Sequence, residues 1–167
     1  EESMRRQRDE QEALRKKQSI LSSLTLTEKV NDIAERRLAR TTTDIMVIED
    51  DAFSRRLVEK VLQNACTLTS LASAETALDS YTRIAPDLLF LDINLPDISG
   101  LDLLERIIKI DPHAYIVMLS GNADRTNITT AMQLGAKGFV AKPFTTEKLF
   151  QYVNRCPTII KKREAHA

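Results

Sequence analysis

The chain has 167 residues, 43% hydrophobic and 29% charged, and its 24 basic and 24 acidic side chains give a formal net charge of zero. That length holds one ordinary domain with a real core plus an appendage, and the neutral balance excludes a whole-chain electrostatic pull toward nucleic acid or a membrane surface. Cys66 and Cys156 lack any CxxC or Cys/His spacing, no apolar run reaches membrane-spanning length, and the charged N-terminus resembles no secretory signal. A reduced, cytoplasmic setting with no zinc site and no disulfide framework is therefore expected. The first residue is Glu1, so either upstream residues or a natural start at Met4 is expected.

Residues 1–40 contain no Gly, Pro or aromatic side chain and are dense in Arg, Lys, Glu and Gln, which predicts helix. Ser22-Ser23-Leu24-Thr25-Leu26-Thr27 interrupts the pattern with side chains that compete for backbone hydrogen bonds. Thr25 followed by Glu28 has the form of a capping box, so a second helix is expected to start there, with Leu26, Val30, Ile33, Ala34 and Leu38 on one face. A seam through Met4, Gln7, Gln11, Leu14, Gln18, Leu21 and Thr25 is too polar for a good coiled coil. The segment reads equally as a dimerising helix or as a charged helical linker, and Thr41-Thr42-Thr43 reads as a short connection.

From residue 44 the rhythm becomes strand, helix, strand. Strands are expected at Ile45–Ile48, Cys66–Leu71, Leu88–Leu91, Tyr115–Leu119 and Phe139–Ala141. Helical patterns follow each: Phe53 to Leu62, Ser73 to Ile84, Leu101 to Ile108, Asp124 to Leu134, and Thr145 or Thr146 to Arg155. Repeated βα units predict an α/β fold with a parallel sheet covered on both faces. Such sheets carry their sites beyond the carboxyl ends of the strands.

The residues at those ends carry chemistry. Glu49, Asp50 and Asp51 follow the first strand; Asp92, with Asn94 two residues on, ends the third; Ser120 and Gly121 end the fourth; Lys142 and Pro143 follow the fifth. Asp92 closes the apolar run Leu88-Leu89-Phe90-Leu91 and has no packing reason to be there. At an effective dielectric near 20, two charges about 4 Å apart repel by roughly 4 kcal/mol. Clustered acids of this kind are tolerable around a hard cation, and Mg2+ suits them because it accepts one or two carboxylates, keeps waters and bridges to phosphate oxygens. Lys142 and the Ser120 hydroxyl are expected to face the same spot as donors to an anion. Together they describe a carboxylate nucleophile that accepts a phosphoryl group.

Ile45-Met46-Val47-Ile48-Glu49-Asp50-Asp51, Leu91-Asp92-Ile93-Asn94-Leu95-Pro96 with Gly100, Leu119-Ser120-Gly121 and Lys142-Pro143-Phe144 resemble the receiver domain of bacterial two-component response regulators. The resemblance spans about residues 44–156. It implies a (βα)5 flavodoxin-like sheet in the order 2-1-3-4-5, preceded by one or two helices (residues 1–40) and followed by a tail (157–167). It also implies Asp92 as phospho-acceptor, Glu49 and Asp50 as magnesium-binding acids, and Asn94 as a metal ligand through its backbone carbonyl. Ser120 would be the switch hydroxyl, Lys142 the phosphoryl-binding lysine before a cis proline, and Phe139 the switch aromatic. Ser120 and Phe139 stand where Thr and Tyr are commoner in that family. The implied partners are a sensor histidine kinase or histidine phosphotransfer protein and a downstream protein target, with a homodimer through residues 1–40 as a further option. No nucleic-acid output within the chain, no membrane contact and no effector domain after the last helix are expected.

Two other readings have distinct signatures. An aspartyl phosphohydrolase usually places a general acid two residues after its nucleophile, and here that residue is Asn94, which cannot serve. A non-phosphorylated pseudo-receiver would not need the full acid set. Asp51, Arg55, Arg56, Lys161, Lys162 and Arg163 read as solvated charge, and His113 as a loop residue. Asn94 and Asn122 flank the position from which water would approach Asp92 and are expected to tune the lifetime of a phosphoryl group.

Overall fold

Five short parallel strands form the middle of the molecule: β1 (Asp44–Ile48), β2 (Thr67–Leu71), β3 (Leu88–Asp92), β4 (Ile116–Ser120) and β5 (Gly138–Ala141), hydrogen-bonded in the order β2-β1-β3-β4-β5. The computed structural model describes residues 2–121 and 125–166, with the backbone but not the side chains of 22–31. Helices α1 (Glu2–Ala39), α2 (Ala52–Leu62), α3 (Ala77–Ile84), α4 (Gly100–Ile110), α5 (Arg125–Leu134), α6 (Thr146–Val153) and α7 (Pro157–Ala165) complete it. The predicted strands and their order are present.

All five residues of β3 are buried, as are those of β4, because both strands lie inside the sheet with helices on each face. Alternation along the strands divides the core into two layers. Met46, Ile48, Leu89, Leu91, Ile116 and Met118 face α3, α4 and α5, whose Tyr81, Leu104 and Ala131 join that layer. Ile45, Val47, Leu88, Phe90, Val117 and Leu119 face α2, α6 and α7, through Val58, Leu149 and Ile159.

The structure departs from the sequence reading mostly at the chain ends. The backbone of α1 continues through Ser22–Thr27, where a break was expected. The Thr25–Glu28 pair, Leu26 and Val30 have side chains outside the described residues. Of the remaining apolar face, Ile33 is fully buried, Ala34 is half-buried and Leu38 is 56% exposed. Only part of that face is core. Residues after 156 form a further helix with Pro at its first turn, where a missing N–H costs nothing. Lys162, expected in solvent, is buried and donates to Asp87 Oδ2 at 2.9 Å and to the Thr42 carbonyl at 2.8 Å. Thr43 accepts from Thr67 N at 2.8 Å, so the threonine connection is held on both sides. Helix α3 starts at Ala77 rather than near Ser73, because Ala74 N is tied across the loop to Asp97 Oδ1 at 3.1 Å.

Candidate functional site at the strand ends

The strand order places the C-terminal ends of β1, β3, β4 and β5 side by side, and the ladder continues past them. Glu49 N donates to Leu71 O at 3.0 Å, Ile93 N to Leu119 O at 3.0 Å, and Lys142 N to Ser120 O at 2.8 Å. Each residue that carries chemistry is therefore fixed by sheet hydrogen bonds at or beside its own backbone.

Strand alternation sets which side chains meet. Glu49, Asp92 and Lys142 continue the parity of Val47, Phe90 and Val140, the layer under α2 and α6, while Ser120 continues the parity of Met118 on the opposite face. Phe139, paired in register with Met118, lies on that same opposite face and is half-buried there. The sequence-predicted residues thus fall into two rows, an acid–lysine row and a hydroxyl–aromatic row.

In the first row Lys142 Nζ lies 2.8 Å from Glu49 Oε1, 2.7 Å from Glu49 Oε2 and 3.3 Å from Asp92 Oδ2. Glu49 is fully buried and Asp92 is 1% exposed, while Asp50 is open to solvent. One carboxylate oxygen from each of Glu49, Asp50 and Asp92 falls within 4.8 Å of the others. Asp92 Oδ1 accepts from Asn94 N at 3.1 Å, and Glu49 Oε1 from Asp51 N at 3.1 Å. Glu49 Oε2 sits beside the lysine yet accepts no directed hydrogen bond among the described residues. The peptide bond between Lys142 and Pro143 is cis, as the sequence reading anticipated.

These positions perturb the titrating groups. Burial pushes the Asp92 carboxyl up to about 7, and the Glu49 charge adds to that, against the pull of the Asn94 N–H and of Lys142. Burial alone would lower Lys142, but the hydrogen bond to Glu49 and the charge of Asp92 win and hold it above the usual lysine range. Three carboxylates whose oxygens lie within 4.8 Å of one another, one of them open to solvent, match the donor set of a small hard cation that retains water.

The loop behind Asp92 closes tightly. Asn94 and Ser99 form an isolated bridge, Gly100 N donates to Ile93 O at 2.7 Å, and Ser99 caps α4 by accepting from Leu101 N. A Cβ at Gly100 would collide with the Asp92 backbone carbonyl, so only glycine lets α4 begin this close to the strand end.

Some roles escaped the sequence reading. Arg55, expected in solvent, donates to the carbonyls of Glu49 at 2.9 Å and Asp50 at 3.3 Å and so braces the acidic loop. Asp51 is exposed as expected but also caps α2, accepting from Ser54 N at 2.8 Å, and that bond holds its carboxyl below the usual range. Its position before a helical pattern was the available signal. Asn122 lies outside the described residues.

The profile of the family described as "Response regulator receiver domain" matches residues 45–154. Among curated proteins, Protein CcdB of Bacillus subtilis is 33% identical over 115 residues, covering 68% of this chain and 96% of that protein. Chemotaxis protein CheY of the same organism is 31% identical over 113 residues, covering 66% and 94%. A solved receiver domain protein from Clostridium thermocellum, 28% identical, superposes with a TM-score of 0.65 over 74% of this chain and 98% of that one.

Proposed function

The chain belongs to the response regulator receiver domain family, and on that premise we propose that it accepts a phosphoryl group on Asp92 from the phosphohistidine of a partner kinase or phosphotransfer protein. Receiver domains of this kind are phospho-acceptor signalling modules of two-component systems rather than turnover enzymes. The observation that carries the assignment is Asp92 itself, a carboxylate buried at the end of an apolar strand with Lys142 3.3 Å away. One related receiver domain, 27% identical, is described as BeF3-activated.

In the transfer, an oxygen of ionised Asp92 forms a bond to phosphorus as the P–N bond breaks, and the histidine imidazole leaves with the bonding pair. Asn94 N, which donates to Asp92 Oδ1, orients the carboxylate. Lys142, held charged by Glu49, offers its ammonium to the incoming phosphoryl oxygens. Glu49, Asp50, Asp92 and the Asn94 backbone carbonyl are the residues that would hold Mg2+. The bound ion would neutralise the clustered acids and draw charge from the phosphoryl oxygens.

The second row carries the response. Ser120, fully buried at the end of β4, turns toward the new phosphoryl oxygens, and Phe139 moves into the space this opens on the same sheet face. The surface formed by α5, β5 and α6 is thereby remodelled for a downstream protein. Phe139 has no phenolic hydroxyl, so the ring reports by its volume alone. Met4, Leu14, Ile20 and Leu21 are exposed on α1 and make a second copy of the chain a candidate partner there. Sedimentation of the full chain at twice 18.9 kDa supports that contact, and sedimentation at 18.9 kDa removes it.

Acetyl phosphate with Mg2+ tests the proposal. Intact-mass spectrometry should show one phosphoryl group, absent with a chelator and absent in Asp92→Asn. Uptake that survives either change contradicts the assignment. Steady hydrolysis of a small phosphomonoester would favour the phosphohydrolase reading instead.

A further inference from the structure

Two buried carboxylates far from Asp92 gather residues from outside the matched family region. Asp87, just before β3, is essentially unexposed. Its Oδ2 receives Lys162 Nζ of α7 at 2.9 Å, Arg40 Nη2 at 3.2 Å and Asp44 N at 2.9 Å, and its Oδ1 receives Thr158 Oγ1 of α7 at 2.7 Å. Asp111, at the end of α4, is likewise unexposed and receives the Arg37 guanidinium and the Tyr81 hydroxyl, the latter at 2.7 Å. Arg40 is also paired with Asp44.

The same arginines finish α3. That helix ends at Ile84 and is followed by Ala85 with φ of +49°, which leaves its last carbonyls without helical partners. Arg36 takes the carbonyls of Thr82 and Arg83, Arg40 those of Ile84 and Ala85, and Arg37 that of Pro86. Beside them Ile33 is fully buried in the layer that includes Tyr81 and Ile107. A solvated linker has no use for this set of contacts. Buried carboxylates stripped of their cations are strongly destabilising, so Asp87 and Asp111 depend on both chain ends.

We infer that the folding unit of this receiver runs from about Asp32 to Ala165, with the last turns of α1 and all of α7 as obligatory parts locked on Asp87 and Asp111. The end of α1 is therefore a docked element of the domain, and it holds the preceding chain at one pole of the sheet. Asp87 precedes β3 and Asp92 ends it, and the strand's five residues span about 17 Å. The contacts of Arg37 and Arg40 with Asp111 and Asp87 lie at the end of the sheet opposite the acid cluster. The contacts on Asp87 and Asp111 serve folding and are independent of the phosphoryl chemistry.

Hydrogen exchange on the full chain tests it without a variant. Amides of residues 35–40 and 160–163 should exchange as slowly as the outer strands of the sheet. In the full chain, Arg37→Gln and Lys162→Gln should each lower Tm by about 10 °C or more, or prevent folding. Glu35→Gln, an exposed change in the same turn as Arg37, should leave Tm unchanged. Exchange of 35–40 within seconds while the sheet stays protected would overturn the inference, as would an unchanged Tm in Arg37→Gln.

Discussion

Asp92 holds its proton unusually well for an aspartate, and the reason is visible around it. Burial and the neighbouring Glu49 charge oppose its ionisation and push its carboxyl up to about 7 from the ordinary 3.8. The folded state therefore binds this proton more tightly than the unfolded chain between those values. The resulting stabilisation is complete below the unfolded pKa and is lost as pH rises through the folded one. In the presence of a chelator, Asp92→Asn should raise Tm at pH 8 and change it much less at pH 5. An equal effect at both pH values would show that Asp92 is not desolvated as described. Asp92, Glu49 and Lys142 were legible in the sequence because acids and a lysine at the ends of apolar strands have no packing explanation. Asp87 and Asp111 gave no such signal: their partners Lys162 and Arg37 lie 75 and 74 residues away, and charges next to Pro86 and Pro112 look like ordinary loop residues.

At the scale of elements, the loop from Asp92 to α4 shows how backbone geometry serves the site. Gly100 packs against the Asp92 carbonyl with no room for a Cβ. Gly100→Ala should cost about 2–3 kcal/mol in denaturant unfolding, and it should slow phosphoryl uptake by displacing Asp92. If stability and uptake are both unchanged, the close approach is not real. Helix α2 starts on the Asp51 cap, so Asp51→Ala should lower the denaturant midpoint of unfolding. Because Asp51 N also donates to Glu49 Oε1, uptake should fall only slightly, since that backbone donor remains. The βα elements were readable because apolar periodicity and short loops marked each of them. The ends were not. Ser22–Thr27 carries side chains that favour caps over helix interiors, yet the backbone continues as α1. Helix α7 has apolar residues only at Ile159, Ile160 and Ala165, too few to show a face, and it docks through buried Ile159 together with Lys162 and Thr158 reaching a carboxylate that no local pattern reveals.

For the whole molecule, the parallel sheet sets two poles. The C-terminal ends of the strands gather the acids, the lysine and the hydroxyl; the opposite ends carry the arginine and lysine contacts of α1 and α7. The fold class could be read from the sequence because repeated βα units predict a parallel sheet covered on both faces, whereas the strand order β2-β1-β3-β4-β5 was implied by the family resemblance alone. How the N-terminal helix joins the domain could not, because it depends on guanidinium contacts to carbonyls that exist only after α3 has formed. No helix among the described residues is long and apolar enough to cross a membrane.

The central claim is that Asp92, and no other carboxylate of the cluster, takes the phosphoryl group. After treatment with acetyl phosphate and Mg2+, borohydride reduces an acyl phosphate to an alcohol and leaves free carboxylates intact. Peptide mass spectrometry should then find the reduced side chain at position 92 alone. Reduction at Glu49 or Asp50, or none in a protein shown to be folded, would contradict the account.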